Sequence, residues 1–350
     1  MDSCWFCAWV SNTGARHYSV VPLQRLLCSQ RPSDIVVERP RYQYPVAHKS
    51  RKSGVITERS GWNDIEGIHK MRVLITGARG QLGQSLRERA PEDWEVIFTD
   101  SKTLDITNQS KVHSMVLGFQ PDVIINTAAY TNVNQAEKEP DIAFAINANG
   151  PRYLAEAAQQ LKAKLIHIST DFVFDGNKES PYINFDVPNP INSYGKSKLA
   201  GETLALAICE DTHIIRTSSL FSEFGHNFLH KILAKAEQYE NIDIVDTETY
   251  PTDSNDLAQF IIEICTEENI PKIVHFCGLE KISWADFASM ILQAASYSNI
   301  AVNKIAAISL TENIVNRPKN SLLANTITRI DSESLSSKVL SAIQKCQQEN

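Results

Sequence analysis

Cysteine is sparse in this 350-residue chain, which holds seven cysteines, an odd and scattered set. Such a set argues against a disulfide framework and for reduced thiols. Cys4 and Cys7 form a single Cys-x-x-Cys pair. Because no second pair stands at zinc spacing and no strand pattern precedes this one, we predict neither a metal site nor a redox site there.

Long apolar runs are also missing from the sequence. No stretch approaches the roughly 18 apolar residues that a membrane-spanning helix requires. The first residues, Met1-Asp2-Ser3-Cys4-Trp5, lack the basic start and the long apolar centre of a secretory signal. We therefore predict a cytoplasmic protein with no membrane partner.

Excess positive charge is absent as well. The formal net charge is −7, and residues 1–70 hold ten Lys/Arg against six Asp/Glu, so that the remaining 280 residues carry 24 against 35. A body with this negative excess is a poor nucleic-acid binder. We expect no nucleic-acid partner.

Regular patterns begin only at Met71. Residues 1–70 show neither the period of a strand nor that of a helix, and we predict that they form a poorly ordered N-terminal extension outside the core. A transit peptide is the alternative interpretation. The six acidic residues of this stretch weaken it, because transit peptides are nearly free of acids.

After Met71, short β-rich runs alternate with amphipathic segments. The predicted strands are 72–76, 96–99, 123–126, 165–169, 213–217, 242–245 and 273–276. The predicted helices lie near 81–90, 108–119, 141–161, 193–209, 227–239, 254–267 and 284–295. Such alternation is typical of right-handed βαβ units and predicts an α/β fold, a Rossmann-type doubly wound parallel sheet.

The first predicted strand runs into a glycine-rich turn. Glycines at this point allow a tight turn and let backbone amides approach a pyrophosphate at the N-terminus of the next helix. Strand, turn and helix follow one another in the order that a dinucleotide site requires, so we predict NADPH or NADH as cofactor. The predicted binding residues in this turn are Gly77, Arg79, Gly80, Gln81, Leu82 and Gly83.

The choice between the two cofactors stays open in the sequence. Asp100, at the end of the second predicted strand, favours NAD because its carboxylate can accept hydrogen bonds from the adenosine ribose. Arg79 and Lys102 favour NADP because either side chain can hold a 2′-phosphate.

Three further residues are predicted to line the cofactor. Asp105 is placed for the adenine edge, although an Asp in front of a helix is equally typical of an N-cap. Ala128 and Ala129 follow the third predicted strand. Their small side chains would let the backbone pass close to the cofactor, and a tight contact between helix and sheet is compatible with that role.

A hydroxyl and a Tyr/Lys pair stand at the same edge of the sheet. Thr170 follows the fourth predicted strand, at the carboxyl end where ligands of such folds bind. Tyr194 and Lys198 are four residues apart, so they share one face of a helix, and an ammonium beside a phenol favours the phenolate. We predict that this group hands a proton to a carbonyl as the carbonyl becomes an alkoxide.

Four motifs carry a family resemblance: Gly-x-x-Gly-x-x-Gly after the first strand, Asn126-Thr-Ala-Ala, Ser169-Thr-Asp and Tyr194-x-x-x-Lys198. Together they resemble the extended short-chain dehydrogenase/reductase family. Within it, segments 80–83, 169–176, 190–202, 216–218 and 317–321 resemble those of the dTDP-4-dehydrorhamnose reductases. The resemblance covers about residues 71–330, and we predict an NAD(P)-binding domain at 71–220 and a smaller, mainly substrate-binding lobe at 221–350 that partly returns to the sheet.

The resemblance implies NAD(P)H-dependent reduction of the C4 ketone of dTDP-4-dehydro-L-rhamnose to dTDP-L-rhamnose. It implies that Tyr194 donates the proton, that Lys198 binds the nicotinamide ribose and lowers the pKa of Tyr194, and that Thr170 hydrogen-bonds the substrate carbonyl. The implied substrate-binding residues are Thr170, Asp171, Asn227 and Arg317, the last facing the diphosphate. A homodimer and Mg²⁺ as an aid to assembly are family expectations.

Three positions depart from the family pattern, since Ser219, Thr249 and Asn134 stand where Trp, Gly and Asp are usual. Loss of a large aromatic beside the sugar removes stacking and desolvation. A related dTDP-keto sugar of the dihydrostreptose type is therefore an alternative substrate.

Two alternatives concern the class of function. A non-catalytic, dinucleotide-binding regulatory subunit would not need the full set of Thr170, Tyr194 and Lys198. A nucleotide-sugar epimerase or dehydratase would share the Tyr/Lys pair, but the amino-acid sequence of segments 169–202 and 317–321 argues against this class.

Overall fold

The computed structural model describes residues 70–297, 299–305, 315–327 and 333–348. The N-terminal extension predicted for residues 1–70 therefore lies, apart from Lys70, outside the described residues, and so do Cys4 and Cys7.

The strands of the described residues are β1 Arg72–Thr76, β2 Glu95–Thr99, β3 Val123–Asn126, β4 Lys164–Thr170, β5 Thr212–Thr217, β6 Leu220–Phe221, β7 Asn241–Val245, β8 Glu248–Thr249, β9 Thr252–Asp253, β10 Ile273–His275, β11 Ile282–Ser283 and β12 Ala301–Ile305. The helices are α1 Gln81–Arg89, α2 Gln109–Phe119, α3 Val133–Lys138, α4 Pro140–Phe144, α5 Gly150–Leu161, α6 Ser193–Ile208, α7 Phe228–Ala236, α8 Ser254–Cys265, α9 Trp284–Ala294 and α10 Leu335–Gln348.

A six-stranded sheet forms the centre of the described structure, with its strands in the order β10-β5-β4-β3-β1-β2. Every neighbouring pair is parallel. The chain adds β2 on one side of β1 and then β3, β4 and β5 on the other side, so the winding direction reverses between β1 and β3. The predicted doubly wound Rossmann-type sheet is confirmed, and the reversal point is where such sheets bind ligands.

Both faces of this sheet are buried, because successive strand residues point to opposite sides. Val73 and Ile75 of β1 pack in the apolar cluster that includes residues of α1 and α8. Leu74, between them, packs in the cluster that includes residues of α2, α5 and α6. Near-continuous apolar strands such as Val123-Ile124-Ile125 are typical of a parallel sheet covered on both faces.

The strand predicted at 242–245 is present and lies outside the central sheet. β7 pairs with β12 in a separate two-stranded sheet. Its side chains alternate between exposed and buried positions, which shows that only one face is covered. That face packs with α7, α9 and α10 in an apolar cluster of its own. The domain boundary at residue 220 stays a prediction.

The helix predicted at 141–161 is interrupted. A π-helical turn, Ala145–Asn149, separates α4 from α5. Such turns are frequent at functional sites, because the extra residue in the turn redirects side chains.

Candidate active site

The glycine-rich turn after β1 is packed against the end of β3. Gly77 has a φ of +74°, and a Cβ built on it would lie 2.6 Å from the backbone nitrogen of Ala128. A Cβ on Gly83 would lie 2.4 Å from the carbonyl oxygen of Gly77. Side chains at these two positions would therefore force the turn, α1 and the end of β3 apart. The structure thus brings the turn together with Ala128.

The N-terminus of α1 fits a pyrophosphate. Its N-cap residue, Gly80, makes no side-chain capping bond, and the first turn holds no acidic residue. Backbone amides at such an end, together with the helix dipole, favour an anion. Leu82 is buried in the sheet core, so of the contacts predicted for it only one through its backbone is compatible with the structure.

Asp100 and Arg79 form an ion pair beside this turn, with Arg79 Nε 2.7 Å from Asp100 Oδ2. The other carboxylate oxygen, Oδ1, accepts hydrogen bonds from the backbone N–H groups of Lys102 and Thr103. These loop contacts, with the smaller effect of Arg79, lower the pKa of Asp100. Both carboxylate oxygens of Asp100 consequently have partners within the protein, while the Arg79 side chain is 71% exposed.

Asp105 does not cap a helix. Its carboxylate accepts hydrogen bonds from the Thr107 backbone N–H at 2.9 Å and from the Thr107 hydroxyl at 2.7 Å. The N-cap of α2 is Asn108, whose side chain accepts from the Lys111 N–H.

Thr170 and Tyr194 meet at the carboxyl end of β4. Thr170 Oγ1 accepts a hydrogen bond from the Phe172 N–H at 3.2 Å and lies 3.0 Å from Asp171 Oδ1. The Thr170 side chain also lies close enough to the Tyr194 phenol to affect the pKa of the phenol. Tyr194 lies in the first turn of α6, which Asn192 caps by accepting the Gly195 N–H at 2.8 Å. The cap therefore determines where Tyr194 enters the site.

The pKa of Tyr194 moves in the direction opposite to the expected one. Burial raises the pKa of Tyr194 to about 12, the negative charge of Asp171 acts in the same direction, and the Thr170 side chain opposes both. Lys198 is not among the causes of this shift, so the lowering by Lys198 that the resemblance implies stays a prediction. At neutral pH the phenol is therefore protonated, which is the form that a proton donor needs.

Lys198 is 2% exposed and lies one turn after Tyr194 on α6. Its Nζ donates to the carbonyl oxygen of Ile168 at 2.6 Å and lies 3.4 Å from His167 Nε2. Burial lowers the pKa of Lys198 to about 8, and the negative charge of Glu202 opposes this shift.

The predicted substrate residues lie in different surroundings. Asp171 accepts a hydrogen bond from Ser321, and burial raises its pKa to about 6. The exposed Arg317 donates to Asn134 Oδ1 at 3.2 Å, so its described partner is neutral. Segment 315–327 thus contacts Asp171 through Ser321 and Asn134 through Arg317.

The side chain of Asn227 makes its hydrogen bonds to other residues of the protein. Its Nδ2 donates to Gln81 Oε1 at 2.6 Å and also to the carbonyl oxygens of Ser222 and Phe224. Its Oδ1 accepts the His230 N–H as the N-cap of α7. The side chain therefore ties α7 to the glycine-rich turn.

Two of the departures noted in the sequence are partners in space. The hydroxyl of Ser219 hydrogen-bonds the hydroxyl of Thr249. Ser219 follows β5 at the carboxyl edge and has a φ of +50°, a conformation that is uncommon outside glycine. The positions where the resemblance expects Trp and Gly thus form one polar contact here.

Sequence reasoning missed Asn147, in the π-helical turn. Its amide is buried, accepts the Tyr130 N–H at 2.8 Å, and donates to the Tyr130 carbonyl and to Ser197 Oγ, each at 3.0 Å. It therefore joins the loop after Ala129 to the helix of Tyr194. An Asn inside an apolar helical pattern was the available signal.

Within the described ranges, no group of three or more His, Cys, Asp or Glu side chains is arranged to hold a metal ion. Nothing in that part of the chain supports the family expectation of Mg²⁺. None of the helices described is both long enough and apolar enough to cross a membrane.

Comparison with known proteins gives consistent relatives. The dTDP-4-dehydrorhamnose reductase of Aggregatibacter actinomycetemcomitans is 40% identical over 264 residues, 72% of this chain and 90% of the relative. A crystal structure of a dTDP-4-dehydrorhamnose reductase from Clostridium acetobutylicum is 34% identical, with a TM-score of 0.74 over 79% of this chain and 100% of that chain.

The dTDP-4-dehydrorhamnose reductase of Bacillus anthracis, solved in complex with NADP, is 36% identical, with a TM-score of 0.74 over 79% of this chain and 99% of that chain. The family described as the RmlD substrate binding domain matches residues 71–349. Since this match spans most of the sequence and the curated relative is covered nearly throughout, the chain belongs to the RmlD substrate-binding domain family.

Proposed function

We propose that this chain reduces the C4 ketone of dTDP-4-dehydro-L-rhamnose to dTDP-L-rhamnose with NAD(P)H. The observation that carries the proposal is the meeting of Thr170, Tyr194 and Lys198 at the carboxyl end of β4. The names of the relatives support the same reaction.

The glycine-rich turn is the proposed cofactor site, since its close backbone packing and uncapped α1 terminus suit a pyrophosphate. When bound, the dinucleotide supplies the hydride for C4 of the sugar. The Arg79 side chain is 71% exposed, and the loop N–H groups of Lys102 and Thr103 hold Asp100 Oδ1, which favours NADPH over NADH, because an exposed guanidinium can hold a 2′-phosphate.

Tyr194 is the proposed proton donor to the oxygen at C4. Its high pKa keeps the proton on the phenol until the developing alkoxide needs it. Thr170 is placed to orient the carbonyl through the same hydroxyl that contacts the phenol. Lys198, as an ammonium, stabilises the phenolate that remains after the transfer.

Arg317 is the proposed ligand of the substrate diphosphate. Its partner, Asn134, carries no charge, so the guanidinium keeps its full positive charge for a phosphate. The hydroxyl pair of Ser219 and Thr249 supports the second candidate substrate, a related dTDP-keto sugar of the dihydrostreptose type, because a polar contact replaces the aromatic wall that the resemblance implies.

The test follows NADPH and NADH oxidation with enzymatically prepared dTDP-4-dehydro-L-rhamnose. We expect turnover by the wild type and a loss in kcat of roughly 10²- to 10⁴-fold in Tyr194→Phe. Tyr239→Phe is the control, since this side chain is 57% exposed on the surface. No oxidation with any dTDP-keto sugar would contradict the enzymatic function and favour the regulatory subunit. Oxidation with only the dihydrostreptose-type substrate would support the second candidate.

The homodimer, the Mg²⁺ requirement and the cytoplasmic location stay predictions. Size-exclusion chromatography with light scattering, with and without EDTA, tests the first two.

A further inference from the structure

A line of buried polar side chains runs beneath the candidate active site, from β1 to Lys198. Thr76 Oγ1 donates to Asn126 Oδ1 at 2.7 Å, Asn126 Nδ2 lies 3.0 Å from His167 Nδ1, and His167 Nε2 lies 3.4 Å from Lys198 Nζ. None of the four side chains is more than 2% exposed. The imidazole of His167, which lies beside Lys198, is therefore part of the core.

The backbone sets the direction of these hydrogen bonds. The Ala128 N–H, which can only donate, points at Asn126 Oδ1 over 3.2 Å. The amide oxygen of Asn126 must therefore face Ala128, and its NH₂ group must face the imidazole. His167 Nδ1 is then an acceptor, so the single proton of the neutral ring lies on Nε2, the nitrogen that faces Lys198.

His167 stays neutral in the folded chain. Burial lowers the pKa of His167 well below its usual 6.5, the positive charge of Lys198 acts in the same direction, and an interaction with the Asn126 backbone opposes both without reversing the shift. A protonated ring would also lose the bond from Asn126, because both of its nitrogens would then be donors.

This tautomer has a consequence for the ammonium. With an N–H facing it, Lys198 finds no acceptor on the side of the imidazole. One of its protons goes to the Ile168 carbonyl, at 2.6 Å. In the other tautomer, Nε2 would accept a hydrogen bond and hold an ammonium proton in the core.

We propose that His167, oriented by Asn126, is a positioning residue for Lys198, whose ammonium protons it turns away from the core and toward Ile168 and the cofactor. The proposal rests on the proposed function only for the role of Lys198 in the reaction.

Three variants test the proposal. His167→Phe keeps a ring of similar size and removes both polar contacts, whereas the terminal amide of His167→Gln reaches the Nε2 position. His213→Phe is the matched control. His213 is also buried in the sheet and also makes two polar contacts, with Asp211 and Pro271, but it lies near the amino end of β5, away from the site.

We expect His167→Phe to lower kcat roughly ten- to a hundred-fold, because the lysine is misplaced, while the KM for the sugar changes by less than about threefold. His167→Gln should recover most of the loss. His213→Phe should lower thermal stability and leave kcat unchanged. A folded His167→Phe with wild-type kcat, or a Gln variant no better than Phe, would overturn the proposal.

A second measurement does not depend on turnover. ¹⁵N-histidine NMR of the wild type should show His167 as the Nε2–H tautomer across neutral pH, and fluorescence titration should show weaker NADPH binding in His167→Phe than in His213→Phe. A protonated Nδ1 would contradict the proposal even if His167→Phe fails to fold. Absence of turnover by the wild type, with the expected NMR and titration results, would count against the proposed function alone.

Discussion

Arg79 and Asp100 are the residues that we propose to decide which cofactor the glycine-rich turn accepts. The sequence left the two side chains as competitors, one for a 2′-phosphate and one for a ribose hydroxyl. In the structure they neutralise each other at 2.7 Å, and the loop uses the remaining oxygen of Asp100. The arginine consequently keeps the exposed position.

Replacing Arg79 should change the preference for cofactor. A hydrogen bond to a charged group contributes about 1.5–3 kcal/mol. Arg79→Ala should therefore lower kcat/KM with NADPH roughly ten- to a hundred-fold. The kcat/KM with NADH should change much less, because NADH has no 2′-phosphate. Initial rates with both cofactors measure this. Arg89→Ala, at the far end of α1 and paired with Glu88, is the control. An equal loss with both cofactors would show that Arg79 does not read the 2′-phosphate.

Helix α6 is held to the sheet by a buried ion pair. Arg216 of β5 donates to both carboxylate oxygens of Glu202, through Nε at 3.0 Å and Nη2 at 2.7 Å, and both side chains are 2% exposed. Ser169 of β4 donates to the same carboxylate. Because Glu202 lies one turn after Lys198, the pair determines how the helix of the Tyr/Lys residues sits on β4 and β5.

Removing the charge of Glu202 should be costly, since Arg216 would stay buried without its counter-charge. We expect Glu202→Gln to lower the free energy of unfolding by about 3–5 kcal/mol. The exposed pair of Lys281 and Glu248 offers the control, and Glu248→Gln should cost less than about 1 kcal/mol. Urea denaturation of both variants measures the difference, and equal losses would contradict a special role for the buried pair.

The stability of the whole molecule should depend on pH through the buried residue His275. His275 is 1% exposed, and burial, followed by the charge of Arg216, lowers the pKa of His275 to about 4. The unfolded chain, with a histidine pKa near 6.5, takes up a proton that the folded chain refuses as the pH falls from about 6.5 to 4. The contribution of His275 to the free energy of unfolding therefore decreases over this window.

The contribution of His275 is on the order of 3 kcal/mol. Urea denaturation between pH 7 and pH 4.5 should show a shallower pH dependence in His275→Gln than in the wild type. His226→Gln, at an exposed position, should keep the wild-type slope. Asp171, which is buried, and Asp253, which is half-buried, have pKa values that desolvation raises to about 6. Their effect on stability has the opposite direction, is the same in every variant and cancels in the comparison. Parallel profiles for the two histidine variants would be the contrary result.

The sequence by itself determined the features that depend on local pattern. The apolar run of β3 and the glycines after β1 predicted a buried parallel strand and a dinucleotide turn, because side-chain alternation and backbone sterics act within a few residues. The spacing of Tyr194 and Lys198 likewise predicted one helix face, which α6 has. The alternation of Ile242, Asp243 and Ile244 is typical of a strand with one covered face, but a local pattern cannot say which strand it pairs with.

Only the tertiary structure decided the features that depend on burial and on distant partners. The direction of the Tyr194 pKa shift follows from desolvation, which no spacing in the sequence reports. Ser219 and Thr249 stand 30 residues apart, and their contact exists only because β8 and the end of β5 meet. His167 and Lys198 are 31 residues apart, and the tautomer that faces the lysine is set by a backbone amide on β3's loop. Long-range packing, rather than residue type, therefore determines how the predicted residues act together.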